Sequence, residues 1–260
     1  MIKLQWMIIR RSQMDEFEEH ANRAFEEEMI THLNDFAPEL CRILGPEGLR
    51  VYVRSGLERA RTYDFTNRGP ARFYLELMFS FGSGFDSDPQ LSWARAALHS
   101  SERDQMARAG QLHELMEEYL HDVAGPDNEY AMQALRRLKD RRIDVTLPQA
   151  DAGRVLKQQL REAYPEKYAY VGDEVIAILI RSGVDFARDH NLPVRGVGVL
   201  TGMMFGFGFG VLEDPLYGWV RRTLDDPLVG SGEDKIDRLA AKLRVYVDAM
   251  LSRPAPASHA

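Results

Sequence analysis

An internal duplication is the feature that most restricts how this chain can fold. Residues 33–98 align with residues 160–224 through a single one-residue gap, and roughly a third of the aligned positions are identical. The shared motifs are RSG at 54–56 and 181–183, MFxFGxG at 78–84 and 204–210, and DP at 88–89 and 214–215. Two copies are too few for a long solenoid. The sequence therefore predicts two similar helical halves packed around a pseudo-two-fold axis.

Apolar residues recur at helical spacing inside both copies. The i, i+3, i+4 pattern indicates one buried face of an α-helix in each copy. The residues predicted to be buried are Leu49, Tyr52, Val53, Leu57 and Ala60 in the first copy, and Ile176, Leu179, Ile180, Val184 and Ala187 in the second. We find no run of strand periodicity beyond residues 3–9, which could form a short extended arm. The predicted fold class is therefore all-α.

The duplication also predicts where the chain divides. We expect an N-terminal helical half over residues 1–143 and a C-terminal helical half over residues 144–252, followed by a disordered tail at 253–260. Two predicted helices between the copies have no counterpart at that spacing, so we expect them to bridge the halves. The segments outside the copies are helices at 13–35 (with Ser12 as N-cap), 101–123, 128–142 and 235–251, and a linker at 144–152.

Most of the matched residues have a structural interpretation. The glycine of each RSG motif lies in mid-helix, where glycine costs about 1 kcal/mol relative to alanine and is tolerated if a second helix approaches closely. Asp88 and Asp214 precede prolines and are predicted to cap the short helices that follow. Trp93 and Trp219 are then predicted to anchor those short helices in the core.

Composition argues against several classes of partner. The net charge is −7 and the isoelectric point about 5.6, whereas nucleic-acid-binding surfaces need a basic excess. The most apolar segment, 197–212, is shorter than the ~18–20 residues that span a bilayer, so no stable membrane span is predicted. Cys41 is the one cysteine, which excludes an intrachain disulfide and favours a reducing compartment. Because the N-terminus lacks a signal-peptide pattern, we expect a cytoplasmic protein.

Arginines recur in both copies at positions where an apolar core does not require charge. Two interpretations stand side by side. The arginines either form ion pairs with repeated acids, or they line anion pockets or partner contacts, since arginine is favoured at interfaces. The repeated acids are Glu47, Glu174, Asp88 and Asp214. The candidate binding residues are Arg54, Arg61, Arg68 and Arg95 in the first copy and Arg181, Arg188, Arg195 and Arg221 in the second.

The sequence contains no recognisable catalytic constellation. Di-metal sites in helical bundles need two Glu-x-x-His motifs, and this chain has one, which runs from Glu118 to His121. None of the seven histidines lies in a nucleophile motif, and the glycines of MFxFGxG do not follow a predicted strand as those of phosphate loops do. We therefore predict no catalytic residue, no metal site and no cofactor.

Motifs of the first copy carry a family resemblance. They are His32-Leu33, Leu44-Gly45, Leu49-Arg50, RSG at 54–56, Arg61, LMFxFG at 77–82, and FDSDP at 85–89 with the tryptophan Trp93. In these motifs the chain resembles uncharacterised proteins encoded beside type VI secretion spikes and polymorphic toxin modules in Gram-negative bacteria. The resemblance reaches the second copy only through the internal repeat. It implies an accessory role in the bacterial cytoplasm, as an adaptor or chaperone that loads an effector or as an immunity protein that neutralises one.

Three functions stay open on the sequence alone. The leading hypothesis is a non-enzymatic, all-α protein-binding module that serves a secreted toxin, with a toxin or spike component encoded nearby as its partner. The first alternative is a toxin or membrane-active protein that uses the Gly/Phe-rich segment 197–212. The second alternative is a helical enzyme or metal protein centred on Glu118 and His121.

Overall fold

The computed structural model describes residues 11–140 and 152–252, and over these ranges the chain forms eleven α-helices and no β-strand. The predicted all-α fold class is confirmed. The predicted arm, the predicted tail and all but the last residue of the predicted linker lie outside the described residues. In chain order the helices are α1 (Arg11–Phe36), α2 (Pro38–Thr62), α3 (Arg68–Phe81), α4 (Ser92–Leu98), α5 (Gln105–Tyr119), α6 (Glu129–Asp140), α7 (Ala152–Ala163), α8 (Pro165–Asp189), α9 (Val194–Phe207), α10 (Trp219–Leu224) and α11 (Gly232–Leu251).

Two helix starts differ from the sequence prediction. Ser12 lies inside α1 and is not its N-cap, because Arg11 is already helical. The helix predicted from residue 101 begins at Gln105, since the carboxylate of Asp104 accepts a hydrogen bond from the backbone N–H of Met106 at 2.9 Å. A capping aspartate stabilises a helix start by satisfying one of the free N–H groups of the first turn.

The described residues form two compact units, one that ends at Phe79 and one that begins at Ser80. The first unit contains α1, α2 and most of α3, and its core includes the fully buried side chains of Leu33, Val53 and Tyr74. The second unit contains the end of α3 and the helices α4 to α11. Within the second unit, α8 packs against α7 on one side and α9 on another.

The helices α2 and α8 have the same length and the same internal break. Each has 25 residues and a proline in its first turn. In each helix the eighth residue is a glycine with left-handed backbone, Gly45 at φ 69° and ψ 169° and Gly172 at φ 77° and ψ 169°. Glycine adopts this conformation without the steric cost that a Cβ would add. The aligned copies thus give two helices of matching shape, although a common ancestral origin for them stays a prediction.

The RSG glycines mark close helix approaches, as predicted. A Cβ on Gly56 of α2 would lie 2.4 Å from Cδ2 of Leu75 on α3. A Cβ on Gly183 of α8 would lie 2.5 Å from Oγ1 of Thr201 on α9. Both distances are shorter than side chains tolerate, so each glycine allows the following helix to pack directly on the backbone.

The prediction that Asp88 and Asp214 cap the short helices after them is correct for Asp214, which is the N-cap of the 3-10 helix Pro215–Tyr217 that leads into α10. It is wrong for Asp88, which caps only a turn, because α4 begins later with Leu91 as its N-cap. Oδ1 of Asp88 accepts a hydrogen bond from the backbone N–H of Gln90 at 2.8 Å. Oδ1 of Asp214 accepts one from the backbone N–H of Leu216 at 2.9 Å. Both aspartates are only 4% exposed, so each carboxylate needs further donors to offset its loss of hydration.

The second oxygens of these carboxylates bind across to the opposite turn within the second unit. Oδ2 of Asp88 accepts from the backbone N–H of Phe209 at 2.7 Å, and Oδ2 of Asp214 accepts from the backbone N–H of Ser83 at 2.6 Å. The two turns therefore exchange equivalent hydrogen bonds. Hydrogen bonds to an ionised acceptor are stronger than neutral ones, so this exchange ties the end of α3 to the end of α9.

The two repeated tryptophans differ in burial. Trp93 is 5% exposed and packs edge-to-face on Phe81, with ring centroids 5.7 Å apart, which confirms the prediction of a core anchor. Trp219 is only half-buried, and its ring lies 6.0 Å from that of Tyr246 on α11. Trp219 therefore lies at the edge of the core, and the prediction of a core anchor is correct only for Trp93.

The Gly/Phe-rich segment lies mostly in α9, where its side chains are packed inside the second unit. Within this segment, the side chains of Leu200, Met203 and Phe205 are at most 1% exposed. Within residues 11–140 and 152–252, no helix is both long enough and apolar enough to cross a bilayer.

Candidate protein-binding surface

One face of α2 is covered in the first unit. We call it the α2 face, and it consists of Arg50, Arg54, Leu57 and Arg61. Residues three and four positions apart share one side of a helix, so these four side chains form a continuous stripe. Leu57 lies at the centre of the stripe and is only 6% exposed. An apolar side chain between three arginines is therefore removed from water.

Side chains of α1 hold this face. Arg50 Nη1 and Arg54 Nε each donate to a carboxylate oxygen of Glu26, both at 2.8 Å. Arg61 Nη2 donates to Oδ1 of Asn22 at 3.3 Å. The charge of the Glu26 carboxylate is thus neutralised by two arginines of α2, so Glu26 contributes to packing within the unit and not to an exposed acidic surface.

The pKa of Glu26 reflects this environment. Burial by itself raises the pKa of the carboxyl group, because it disfavours the charged form. Hydrogen bonds from Arg54 and Arg50, together with their positive charges, outweigh burial and place the pKa of Glu26 below its ordinary value. The folded protein therefore favours the ionised carboxylate, and this preference stabilises the contact between α1 and α2.

The corresponding face of α8 is open. We call it the α8 face, and it consists of Ala177, Arg181, Val184 and Arg188, which align with the four residues of the α2 face. Val184 takes the place of Leu57 and is 46% exposed. Arg181 takes the place of Arg54 and is exposed, and its side chain forms no hydrogen bond or ion pair with any residue that the structure describes.

Burial on α8 contradicts part of the sequence prediction. The prediction is correct for Ile176, Leu179 and Ala187, which are at most 3% exposed. It is wrong for Val184, which is exposed, and Ile180 is only half-buried. Helical periodicity identifies the apolar side of a helix, but whether a neighbour covers the edge of that side depends on tertiary packing.

The difference in burial between the α2 face and the α8 face follows from the described helices that precede α2 and α8. The helix α1 has 26 residues and reaches along α2, whereas α7 has 12. The contacts of α7 fall near the kink of α8, where the Asp173 carboxylate lies 3.6 Å from Lys157 Nζ and 3.5 Å from Arg161 Nη2. The guanidinium of Arg161 also lies 4.6 Å from the ring centre of Tyr168. None of these contacts reaches the α8 face.

The remaining cation of the α8 face has local partners. Arg188 pairs with Asp185 at 3.0 Å and with Asp189 at 3.2 Å, and all three side chains are more than half exposed. Exposed pairs of this kind contribute little to stability. Arg181 is therefore the cation of this face that has no carboxylate among the described residues.

Two other candidate arginines fasten neighbouring helices. Arg68 at the start of α3 pairs with Glu28 of α1, and its guanidinium lies 5.0 Å from the ring centre of Phe25. Arg195 at the start of α9 pairs with Glu233 and with Asp237 of α11, the latter at 2.7 Å. Each of these arginines has carboxylate partners and serves helix packing within its own unit.

The last two candidates lie on α4 and α10. Arg221 pairs with Glu213 at 3.6 Å and with Asp225 at 3.1 Å. Arg95 is exposed and, within residues 11–140 and 152–252, its side chain forms no hydrogen bond or ion pair. Within each unit, the candidate arginines that have partners do not share them.

The acids that pair with the arginines are not the repeated ones. The predicted partners Asp88 and Asp214 accept hydrogen bonds from backbone N–H groups instead. Glu47 and Glu174 are exposed, and neither forms an ion pair with a candidate arginine among the described residues. The interpretation of these four acids as the partners of the repeated arginines is therefore wrong, although six of the arginines do have other polar partners.

Lys167 is a buried cation that the sequence analysis did not identify. It is 7% exposed, and its Nζ lies 5.5 Å from the ring centre of Phe205. Burial lowers its pKa to about 8, and the nearby Asp88 carboxylate limits the decrease. The alignment does contain a signal, because the first copy has Leu40 at this position. The side chain is buried against an aromatic ring, so we interpret it as a packing residue.

The motif of the enzymatic alternative lies on the surface. Glu118 is near the end of α5 and His121 lies in the π-helical turn Leu120–Ala124, and both side chains are exposed. Across the part of the chain that the structure describes, no cluster of three or more His, Cys, Asp or Glu side chains has the geometry to hold a metal ion.

Comparison with known proteins identifies no relative. No protein-family model matches the chain, and no curated protein or solved structure matches it.

Proposed function

We propose that this protein is a non-enzymatic helical module that binds a protein partner through the α8 face. The observation that supports the proposal is the exposure of Val184, at 46%, on a helix whose counterpart buries the aligned Leu57. A β-branched apolar side chain between two arginines combines the apolar and guanidinium groups that are frequent at binding surfaces. The α8 face thus has the composition of an interface that lacks its second side.

The family resemblance suggests which partner to test first. Proteins similar to the first copy are encoded beside secretion spikes and toxin modules, so the proposed partner is a toxin or spike component encoded nearby. In that role the protein acts in the bacterial cytoplasm, either as an adaptor or chaperone that loads the toxin or as an immunity protein that neutralises it. The membrane-active alternative has less support, because α9 is packed inside the second unit.

The test is co-expression of the tagged protein with the proteins encoded beside it, followed by affinity purification and mass spectrometry. The wild type is expected to retain one neighbour in stoichiometric amount. Val184→Asp is expected to lose that neighbour, because a carboxylate would replace the apolar centre of the face. Val245→Asp on α11 is the matched control, since Val245 is 69% exposed and lies outside the face.

Two results would count against the proposal. One is a wild-type protein that retains no neighbour. The other is a complex that Val184→Asp and Val245→Asp leave equally intact. If the complex forms and depends on Val184, a toxicity-rescue assay with the partner then separates an immunity protein from an adaptor.

A further inference from the structure

We infer that the α8 face accepts an amphipathic helix from the partner, in the arrangement in which the α2 face holds α1, with one carboxylate of that helix on Arg181. The inference rests on the proposed function and adds the chemistry of the partner's segment. Its basis is an internal template, because the same chain already contains one such helix seated on the matching face.

The two faces share the backbone geometry that a docked helix must fit. Both belong to 25-residue helices with a glycine break at the eighth residue. The distance along the helix from Arg181 to Val184 therefore equals that from Arg54 to Leu57. A helix that covers Leu57 while it presents a carboxylate to Arg54 has a geometry that also suits Val184 and Arg181.

The differences between the faces define how many charges the partner needs. Arg50 binds both Glu26 and Glu27 in the first unit, but the α8 face has Ala177 at the aligned position. Arg188 already has two aspartates of its own helix beside it. Only Arg181 requires a carboxylate, so the partner helix needs one acid beside an apolar stripe and not a uniformly acidic side.

The charge on Arg181 determines which amphipathic helices fit the α8 face. Arg54 donates to the carboxylate of Glu26, a group that is only 7% exposed in the folded chain. A guanidinium held in the same register therefore selects a helix with a glutamate or aspartate at the position of Glu26. Arginine–carboxylate hydrogen bonds are charge-assisted and directional, which favours one register of the docked helix over others.

The probe is a synthetic, terminally blocked peptide of residues 16–36 from α1, labelled with a fluorophore and titrated into the full-length protein. Binding is read by fluorescence anisotropy. Glu26→Gln in the peptide and Arg181→Gln in the protein are each expected to weaken binding by about tenfold, the effect of one charge-assisted hydrogen bond. The two changes together are expected to cost no more than either one alone.

Two controls separate the α8 face from other places where the peptide could bind. Glu27→Gln in the peptide is expected to leave binding to the α8 face unchanged. Glu27 pairs with Arg50 in the first unit, and the residue of α8 that aligns with Arg50 is Ala177, which has no charge. If the peptide displaces α1 from α2 instead, this change weakens binding through Arg50 and the inference fails. Arg95→Gln removes another exposed arginine without a described partner and is expected to leave binding unchanged.

Further outcomes would overturn the inference without touching the proposed function. If the co-purified neighbour depends on Val184 but the peptide neither binds nor competes, the face binds a different kind of segment. Self-association of the full chain that Arg181→Gln abolishes would identify a second copy as the occupant. Peptide binding that appears only after residues 141–151 are replaced by a glycine–serine linker would identify that segment as the occupant. If the neighbour is retained equally by Val184→Asp, the proposed function itself fails.

Discussion

The helices α2 and α8 have matching lengths, breaks and glycine contacts, yet one face is covered and the other is open. Leu57 on the α2 face is 6% exposed, whereas Val184 on the α8 face is 46% exposed. The two helices are similar in sequence, so the sequence of the helix itself does not decide the burial of this stripe. Burial is decided by the described neighbours, the 26-residue α1 and the 12-residue α7.

The largest expected difference between the two faces concerns their central apolar residues. Leu57→Ala is expected to lower the free energy of unfolding by about 3 kcal/mol, since it removes buried methyl groups and leaves a cavity. Val184→Ala is expected to change the free energy of unfolding by less than about 0.5 kcal/mol, as exposed substitutions generally do. Denaturant titration of both variants measures the comparison. Equal losses would show that the α8 face is covered in the folded chain.

The first turns of the two helices differ at Lys167, where α2 has Leu40, and this difference predicts a pH effect. Burial lowers the pKa of Lys167 from 10.5 to about 8. The folded state therefore binds fewer protons than the unfolded state between these values, so the stability of the wild type rises with pH across that window. At pH 7 the burial of the charged amine lowers the free energy of unfolding by roughly 3–4 kcal/mol, because the pKa falls by about 2.5 units and each unit corresponds to about 1.4 kcal/mol.

Lys167→Met removes the buried amine and tests whether its charge destabilises the folded protein. The variant is expected to be more stable than the wild type at pH 7, and its advantage is expected to shrink as the pH rises from about 8 towards 10.5. Thermal or denaturant unfolding at several pH values gives the result. An advantage that stays constant with pH would mean that the amine is hydrated in the folded state.

The smallest expected difference concerns the aligned arginines. Arg54→Gln is expected to lower the free energy of unfolding by a small but measurable amount, because it weakens the contact with buried Glu26, while the exposure of Arg54 limits the effect. Arg181→Gln is expected to have no measurable effect on unfolding, since it has no partner among the described residues. The same denaturant titrations compare the two variants. A loss for Arg181→Gln that equals the loss for Arg54→Gln would reveal a covered α8 face.

Periodicity and repeat matching predict much of the fold. The helices α2, α3, α8 and α9 and the capping role of Asp214 follow from local patterns whose physical causes act within a few residues. The mid-helix glycines predict that a second helix approaches closely, but not which side chain it presents. The exchange of hydrogen bonds between the turns at Asp88 and Asp214 cannot be predicted from local patterns, because it depends on contacts more than a hundred positions apart in the chain. The matching spacing of the two copies does not specify which groups form hydrogen bonds between the two turns.

The candidate surface could be predicted only in part. Arg181 and Arg188 are among the arginines selected from the repeat, whereas Val184 is assigned there to the core. The alignment cannot reveal the open face, since Leu57 and Val184 are both apolar and both fit the same helical stripe. The exposure of Val184 depends on the length of the preceding helix and on its packing direction, and periodicity within α8 contains neither.

The accessibility of residue 184 distinguishes an open α8 face from a covered one. The chain contains one cysteine, Cys41, which is buried and whose thiol pKa is raised by that burial, so an introduced cysteine is expected to dominate thiol labelling. We would measure the labelling rate of Val184→Cys and of Leu57→Cys, each alone and with the co-purified partner. An open α8 face that binds the partner predicts fast labelling of Val184→Cys that the partner suppresses, and slow labelling of Leu57→Cys in both states. Slow labelling of Val184→Cys in the free protein, or a rate that the partner leaves unchanged, would contradict it.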